Sequence, residues 1–185
     1  MRIISGRWKG KRLVAPPGET TRPTSDRARQ ALFDMLWHAP WAGRELVDGA
    51  TVLDAFAGTG ALGLEALSRG AARAAFIEKD RAALASLRAN IANCGAEAQA
   101  ASQVIAGDAG KPPRPLHPAS LVFLDPPYGS GLLAPALAAL DAAGWFAPGA
   151  LICTELGAKD PIPETRFETL ADRSHGKARL LVLRG

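Results

Sequence analysis

The stretch S-L-V-F-L-D-P-P-Y, Ser120 to Tyr128, decides how the chain folds and where its chemistry sits. Leu121 to Leu124 have strong strand preference and run straight into Asp125-Pro126-Pro127-Tyr128, so a buried strand ends in a rigid turn carrying an acid and an aromatic ring. Two successive prolines lock two φ angles and remove two backbone donors, which lets the Asp125 and Pro126 carbonyls face outward instead of continuing a ladder. A planar exocyclic amine suits such acceptors. It can give one hydrogen to the Asp125 carboxylate and one to the Pro126 carbonyl while its ring lies on Tyr128, where stacking is worth roughly 1–3 kcal/mol for any base. The plain alternative is a strand end with a solvated Asp and a packed Tyr.

Upstream, Thr51 to Phe56 reads as a first strand that enters D-A-F-A-G-T-G-A-L-G, residues 54–63, and then a helix stopping near Gly70. Glycines at Gly58, Gly60 and Gly63 let a ligand approach the strand-to-helix turn closely, and their spacing fits NAD as well as another adenosine compound. Ala74 to Ile77 is a second strand ending at Glu78, 18 residues beyond Gly60. A carboxylate there can accept hydrogen bonds from both hydroxyls of an unphosphorylated ribose, which favours an adenosine ligand. A helix from Asp80 to about Asn93, with Leu84, Leu87 and Ile91 on one face, ends at Cys94-Gly95. Val104 to Ala106 forms a third strand ending at Gly107-Asp108, whose acid either takes adenine amino hydrogens or is a simple turn residue.

Downstream, Leu132 to Ala142 is an Ala/Leu-rich helix that tolerates Pro135 only in its first turn. Leu151 to Glu155 is a fifth strand. Arg166 to Leu170 and Ala178 to Leu183 follow, joined by 172–177 with no helix between, and so short a connector permits only antiparallel pairing. The fold class is α/β: a mostly parallel sheet of five βα units closed by an antiparallel hairpin. Ligands bind such sheets beyond the strand carboxyl ends where strand order reverses. With the first and fourth strands as central neighbours, Gly58 and Asp125 face each other across that crevice.

The chain has 185 residues, 48% hydrophobic and 22% charged, enough for one well-buried domain with a small appendage. It has no run of 18 apolar residues, and Met1 to Arg7 lacks the apolar segment of a signal peptide, so a soluble, cytoplasmic protein with no membrane partner is expected. Cys94 and Cys153 do not make a disulfide framework, and His38, His117 and His175 show no ligand spacing; no metal is implied.

Charge is informative once split. Residues 1–29 hold eight basic residues against Glu19 and Asp26, net +6, whereas the rest holds 14 basic and 16 acidic residues, net −2. A basic arm before a near-neutral domain is the footprint of a polyanion partner, the alternative being an ordinary solubilising tail. R-I-I-S-G-R-W-K-G-K-R-L-V suggests a short hairpin displaying Trp8 with Arg2, Arg7, Lys9, Lys11 and Arg12; Trp8 either stacks on a base or pins the hairpin. Pro16-Pro17-Gly18 marks a boundary between a 1–18 extension and a 19–185 domain. Thr24 or Ser25 can cap a helix with Ala28, Ala31, Leu32, Met35 and Leu36 on its apolar face and Arg22, Asp26, Arg27 and Arg29 on its polar one, near the site entrance.

Together, G-R-W-K-G-K-R-L (6–13), R-P-T-S-D-R-A-R-Q-A-L-F-D-M-L (22–36), L-D-A-F-A-G-T-G-A-L-G-L-E-A-L-S-R-G-A (53–71), F-I-E-K-D (76–80) and F-L-D-P-P-Y (123–128) resemble the bacterial 16S ribosomal RNA guanine-N2 methyltransferase family. The likeness covers nearly the whole chain. It implies a Rossmann-like class I methyltransferase with a seven-stranded sheet and an N-terminal basic β-hairpin, acting as a monomer on 16S rRNA or a small-subunit assembly intermediate. The implied methyl donor is S-adenosyl-L-methionine, leaving S-adenosyl-L-homocysteine. Asp54, Gly58 and Gly60, with Ala55 and Phe56, would hold its methionine part; Glu78 and Lys79 its ribose; Asp108 and Ala109 its adenine. Asp125, Pro126, Pro127 and Tyr128 would receive the guanine, and Arg2, Arg7, Trp8, Lys9, Lys11, Arg12, Arg22 and Arg27 the RNA. The family has a Tyr-Gly pair where this chain has His175-Gly176. Rival readings are the same architecture acting on adenine N6 of DNA or a protein glutamine, an NAD-dependent oxidoreductase, for which no catalytic Tyr/Lys or His is well placed, and an idle RNA-binding module.

Overall fold

The computed structural model describes residues 1–16, 26–127, 129–157, 160–175 and 178–185, apart from the side chains of Arg44 and His175. Seven strands form one sheet: β1 (Thr51–Ala55), β2 (Arg73–Glu78), β3 (Ser102–Ala106), β4 (Ala119–Leu124), β5 (Phe146–Gly157), β6 (Glu168–His175) and β7 (Ala178–Arg184). Their order across the sheet is β3-β2-β1-β4-β5-β7-β6. The first five are mutually parallel, and β7 runs antiparallel to both β5 and β6. Order reverses between β1 and β4, where Ala55 pairs with Leu124, so the Gly58 turn and Asp125 leave the sheet from adjacent strand ends, as the sequence predicts.

Period-two burial sorts the strand side chains into two cores. Val52, Leu121, Phe123, Leu151 and Cys153 face one layer, built by α1 (Asp26–His38), α2 (Ala61–Ser68), α3 (Arg81–Cys94) and α4 (Ala96–Ala101). Leu53, Ala55, Val122, Leu124 and Ile152 face the other, which α5 (Leu133–Ala142) covers with Leu133, Ala136, Leu137 and Leu140. Pro135 sits in the first turn of α5, where its missing N–H has no helical partner to lose. Among the described residues no helix is long and apolar enough to cross a membrane.

Several elements depart from their expected bounds. β5 begins at Phe146 rather than Leu151, because Phe146 already pairs with Ala119 of β4 and the strand bulges over 147–150 before the pairing resumes at Leu121 with Leu151; Pro148-Gly149 within that bulge alone read as a turn. β6 continues through Asp172, Arg173 and Ser174 to His175, since pairing with β7 and the Arg179–Asp172 fork (Nε to Oδ1 2.6 Å) carry a polar segment as an edge strand. The Ala-rich α4 has no counterpart in the sequence reading; its six residues are too few to show a period. The expected caps Thr24 and Ser25 and the 18/19 boundary lie outside the described residues.

The N-terminal hairpin is a loop closed by one antiparallel bridge, Arg2 to Arg12. Ile3, Trp8 and Leu13 are buried in the same core cluster as α1 to α3. Arg29 also corrects the expected pattern. It belongs to the buried face of α1, fully enclosed, while Ala31 is exposed.

Candidate active site

Asp54 is the last but one residue of β1 and only 2% exposed; its Oδ2 accepts the Gly63 N–H at 2.8 Å, tying the strand end to the first turn of α2. Burial pushes its carboxyl well above the usual Asp range; the Gly63 hydrogen bond offsets part of this, and the negative fields of Asp125 and Glu78 add to it. Phe56, just beyond, holds φ at 62°, a conformation uncommon for an aromatic residue and kept where the surroundings over-determine it. The loop that follows closes on Ala57 N–H to Ile77 O and on Gly58 N–H to Glu78 Oε2 at 2.8 Å.

Glu78 therefore organises two loops. Its Oε1 accepts the N–H groups of Lys79 and Asp80, both at 2.8 Å, and Asp80 then caps α3 by accepting from Ala83 N–H. A carboxylate has about four lone-pair sites, so three protein donors leave one for a ligand hydroxyl. Asp108 is exposed at the end of β3; its Oδ1 accepts from Gly110 N–H at 2.8 Å, and its Oδ2 lies 3.7 Å from Lys79 Nζ. Ala109 is buried beneath it. The carboxyl ends of β2, β1 and β4 thus carry Glu78, Asp54 and Asp125 in a row, with Asp108 at the β3 end.

A cradle for a small molecule is built into this row. At Gly58, φ is +54° and an added Cβ would meet nothing nearer than Phe56 O at 4.0 Å, so the turn presents bare backbone to open space. At Gly63 an added Cβ would lie 2.3 Å from Phe76 Cε1; glycine there serves packing of helix on sheet.

Asp125 is half-buried, Pro126 buried and Pro127 exposed; Tyr128 lies outside the described residues. Glu155, on β5, is an acid the sequence reading counted only as a strand end. The β4–β5 register places it beside Asp125, and burial, followed by the field of Asp125, raises its carboxyl to about 7. Its signal was legible: an acid at the carboxyl end of a strand paired to the one carrying Asp125.

The proposed RNA-binding residues are split. Gly6 to Lys9 lie at the carboxyl end of α2, away from the crevice: Arg7 N–H donates to Ser68 O and Trp8 N–H to Ser68 Oγ. Trp8 is 7% exposed and packed in the core, so of its two expected roles the burial favours pinning the arm over stacking on a base. Arg7 pairs with Glu97, and Lys9 is exposed. The two ends of the arm return to the crevice side, with Met1 Sδ near Thr59 and Val14 N–H donating to Asn90 Oδ1. Arg2, Arg12 and Arg27 are exposed there, and Lys11 Nζ holds Asn93 O at 2.6 Å. Arg22 lies outside the described residues.

What clips the arm down is a buried network absent from the sequence reading. Glu65, fully enclosed on α2, accepts the N–H groups of Ile4 (2.7 Å) and Ser5 (3.0 Å) and pairs with Arg29 and Arg69. Arg29 reaches on to Arg2 O and Asp26.

With this geometry in hand, likeness to known proteins can be placed. Residues 1–184 match the family model described as conserved hypothetical protein 95. The ribosomal RNA small subunit methyltransferase D of Escherichia coli K12 is 41% identical over 163 residues, spanning 88% of this chain and 78% of that one. The chain belongs to this family of ribosomal RNA methyltransferases. The solved structure described as a methyltransferase, yhhF from Escherichia coli, superposes with a TM-score of 0.83 at 35% identity, covering 100% of this chain and 97% of the other. A Salinibacter ruber RNA methyltransferase in complex with S-adenosyl-L-homocysteine shares the fold at a TM-score of 0.62 and 16% identity, over 88% and 93% of the two chains. The methyltransferase D family therefore supplies the context for the crevice between β1 and β4.

Proposed function

We propose that this protein transfers a methyl group from S-adenosyl-L-methionine to the exocyclic N2 amine of a guanine in 16S ribosomal RNA. The observation that carries the reading is the adjacency of the Gly58 cradle and Asp125 at the β1/β4 reversal. The charge of the crevice supports the donor. Besides burial, the negative fields of Asp125 and Glu78 raise the proton affinity of Asp54, and that of Asp125 raises Glu155; a crevice lined by four acids favours a sulfonium carrying an ammonium group over the pyrophosphate of NAD.

The residues present fit that donor: bare backbone at Gly58 for close approach, Asp54 for the methionine part, the open lone pair of Glu78 for the ribose and Asp108 for the adenine. When bound, S-adenosyl-L-methionine supplies a methyl carbon activated by the adjacent sulfonium. Asp125 and the Pro126 carbonyl would accept both hydrogens of the guanine amine and hold the nitrogen pyramidal, its lone pair aimed along the line of transfer. As the nitrogen gains positive charge, the same two acceptors stabilise it, and the methylated amine then sheds one of its two protons to solvent or to the Asp125 carboxylate, leaving neutral N2-methylguanine. The target base must be splayed from its neighbours to reach Asp125 and the exposed Pro127, which suits a loop or single strand. Arg2, Lys11, Arg12 and Arg27 would hold the surrounding RNA backbone on the crevice side. Mass mapping of 16S rRNA from a strain lacking this gene tests the assignment. One guanosine should lose 14 Da; an unchanged methylation map would refute it.

A further inference from the structure

The first turns of α3 carry two arginines, Arg81 and Arg88, that neither the cofactor cradle nor the N-terminal arm uses. Lys79, Arg81 and Arg88 converge on a cleft of about 360 Å³ walled by Leu84, Ala106 and Gly107, beside the adenine end of the cradle. Arg81 and Arg88 lie seven residues apart, two helical turns, on the same edge of α3, and both are exposed. Lys79 shares the cleft with Asp108 at 3.7 Å, Asp80 is occupied as the α3 cap, and Glu78 is engaged by three backbone donors. Among the described residues neither arginine pairs with an acid.

The rest of the exposed α3 surface reinforces this charge. No acid occurs from Arg81 to Cys94, and the exposed arc between its edges is floored by alanines, Ala82, Ala85, Ala89 and Ala92. Along the opposite edge the arm is fastened by Lys11 Nζ to Asn93 O and Asn93 Nδ2 to Arg12 O, which brings Lys11 and Arg12 against the helix. The outcome is a low, uncharged floor with cations on both sides, open to a polyanion that approaches closely.

We propose that the Lys79–Arg81–Arg88 cleft binds backbone phosphates of the RNA substrate, making α3 a second contact face besides the basic arm. The inference rests on the methyltransferase reading above and extends it to Arg81 and Arg88, outside the cofactor and guanine sites, with Lys79 shared between the cleft and the ribose end of the cradle. Guanidinium groups in a fixed fork match phosphate oxygens bidentately, and two of them two turns apart on one helix edge can hold two phosphates of the same strand.

The test compares wild type with Arg81→Gln/Arg88→Gln. The readouts are KM for small-subunit particles in a tritiated S-adenosyl-L-methionine assay, filter binding of protein-free 16S RNA across a salt series, and calorimetric affinity for S-adenosyl-L-methionine. Loss of two phosphate contacts should raise KM about tenfold and lower the slope of log K against log salt by about 1.4–1.8, with cofactor affinity and kcat unchanged. Arg81→Lys/Arg88→Lys should restore most of the salt slope. Unchanged KM and slope alongside normal wild-type methylation would overturn this inference alone. Weakened cofactor binding would return the cleft to the cofactor site, and a defect seen with particles but absent with protein-free RNA would assign it to a ribosomal protein; either outcome overturns the proposal. Failure of the wild type to methylate RNA at all would overturn the underlying reading as well.

Discussion

Asp125, just past the end of β4, lies beside Glu155 of β5: the parallel β4–β5 register pairs Leu124 with Thr154, each acid is the next residue along, and β5 runs on with Glu155 paired to Leu180 of β7. Burial, and after it the like charge of Asp125, lifts Glu155 to about 7. The folded state then holds more protons than the unfolded chain between about pH 4.5 and 7, so the raised group contributes stability that is present at low pH and lost as pH rises through 7. Urea titrations should show wild-type stability falling across that window relative to Glu155→Gln. Parallel curves for the two proteins would contradict the coupling.

Asp54 is held as an acid in a place that penalises its charge, so stability and binding should move in opposite directions. Asp54→Asn keeps an acceptor for Gly63 N–H and removes the buried charge. Its melting temperature at pH 7 should rise. Its affinity for S-adenosyl-L-methionine should fall tenfold or more, since a charge-assisted hydrogen bond contributes about 1.5–3 kcal/mol. Because cofactor cations favour the ionised form, wild-type affinity should also increase with pH and the variant's should not. Calorimetry at several pH values checks both.

The Glu65 clip should be a large stability contributor. Glu65→Ala strands Arg29, Arg69 and the Ile4 and Ser5 N–H groups, and removing one partner of a buried ionic network costs about 3–5 kcal/mol. Denaturant unfolding measures the loss, and hydrogen exchange should show Ile4 and Ser5 losing protection first.

Two glycines in one loop should fail differently. Gly58→Ala meets open space and is strained only by its φ, at about 1–2 kcal/mol, so it should fold while losing cofactor affinity. Gly63→Ala drives a methyl group into Phe76 and should lose about 1–3 kcal/mol of stability by overpacking. Thermal melts paired with cofactor titrations separate the two.

Much of this was legible in the chain because its signals are local. The apolar runs at 51–55 and 121–124, the glycines at 58, 60 and 63 and the acids that end β1, β2 and β4 each announce a strand end and a turn, and topology then brings them together. What stayed hidden depends on partners far apart in sequence. Arg29 reads as one more surface cation of a basic front until Glu65, 36 residues on, encloses it. Trp8 reads equally as a stacking platform or a pin until its burial at the α2 terminus, with its backbone N–H on Ser68 Oγ, decides for the pin. The edge strand β6 carries Asp172-Arg173-Ser174, residues typical of turns, and only pairing with β7 reveals it.

The central claim is that Asp125 receives a guanine amine next to the donor held at Gly58. Incubating small-subunit particles with tritiated S-adenosyl-L-methionine and wild-type protein or Asp125→Ala, then resolving the nucleosides, tests it most directly. The account predicts label in N2-methylguanosine with wild type and none with Asp125→Ala, at nearly equal cofactor affinity. Label in another nucleoside, or full activity without the Asp125 carboxylate, would contradict it.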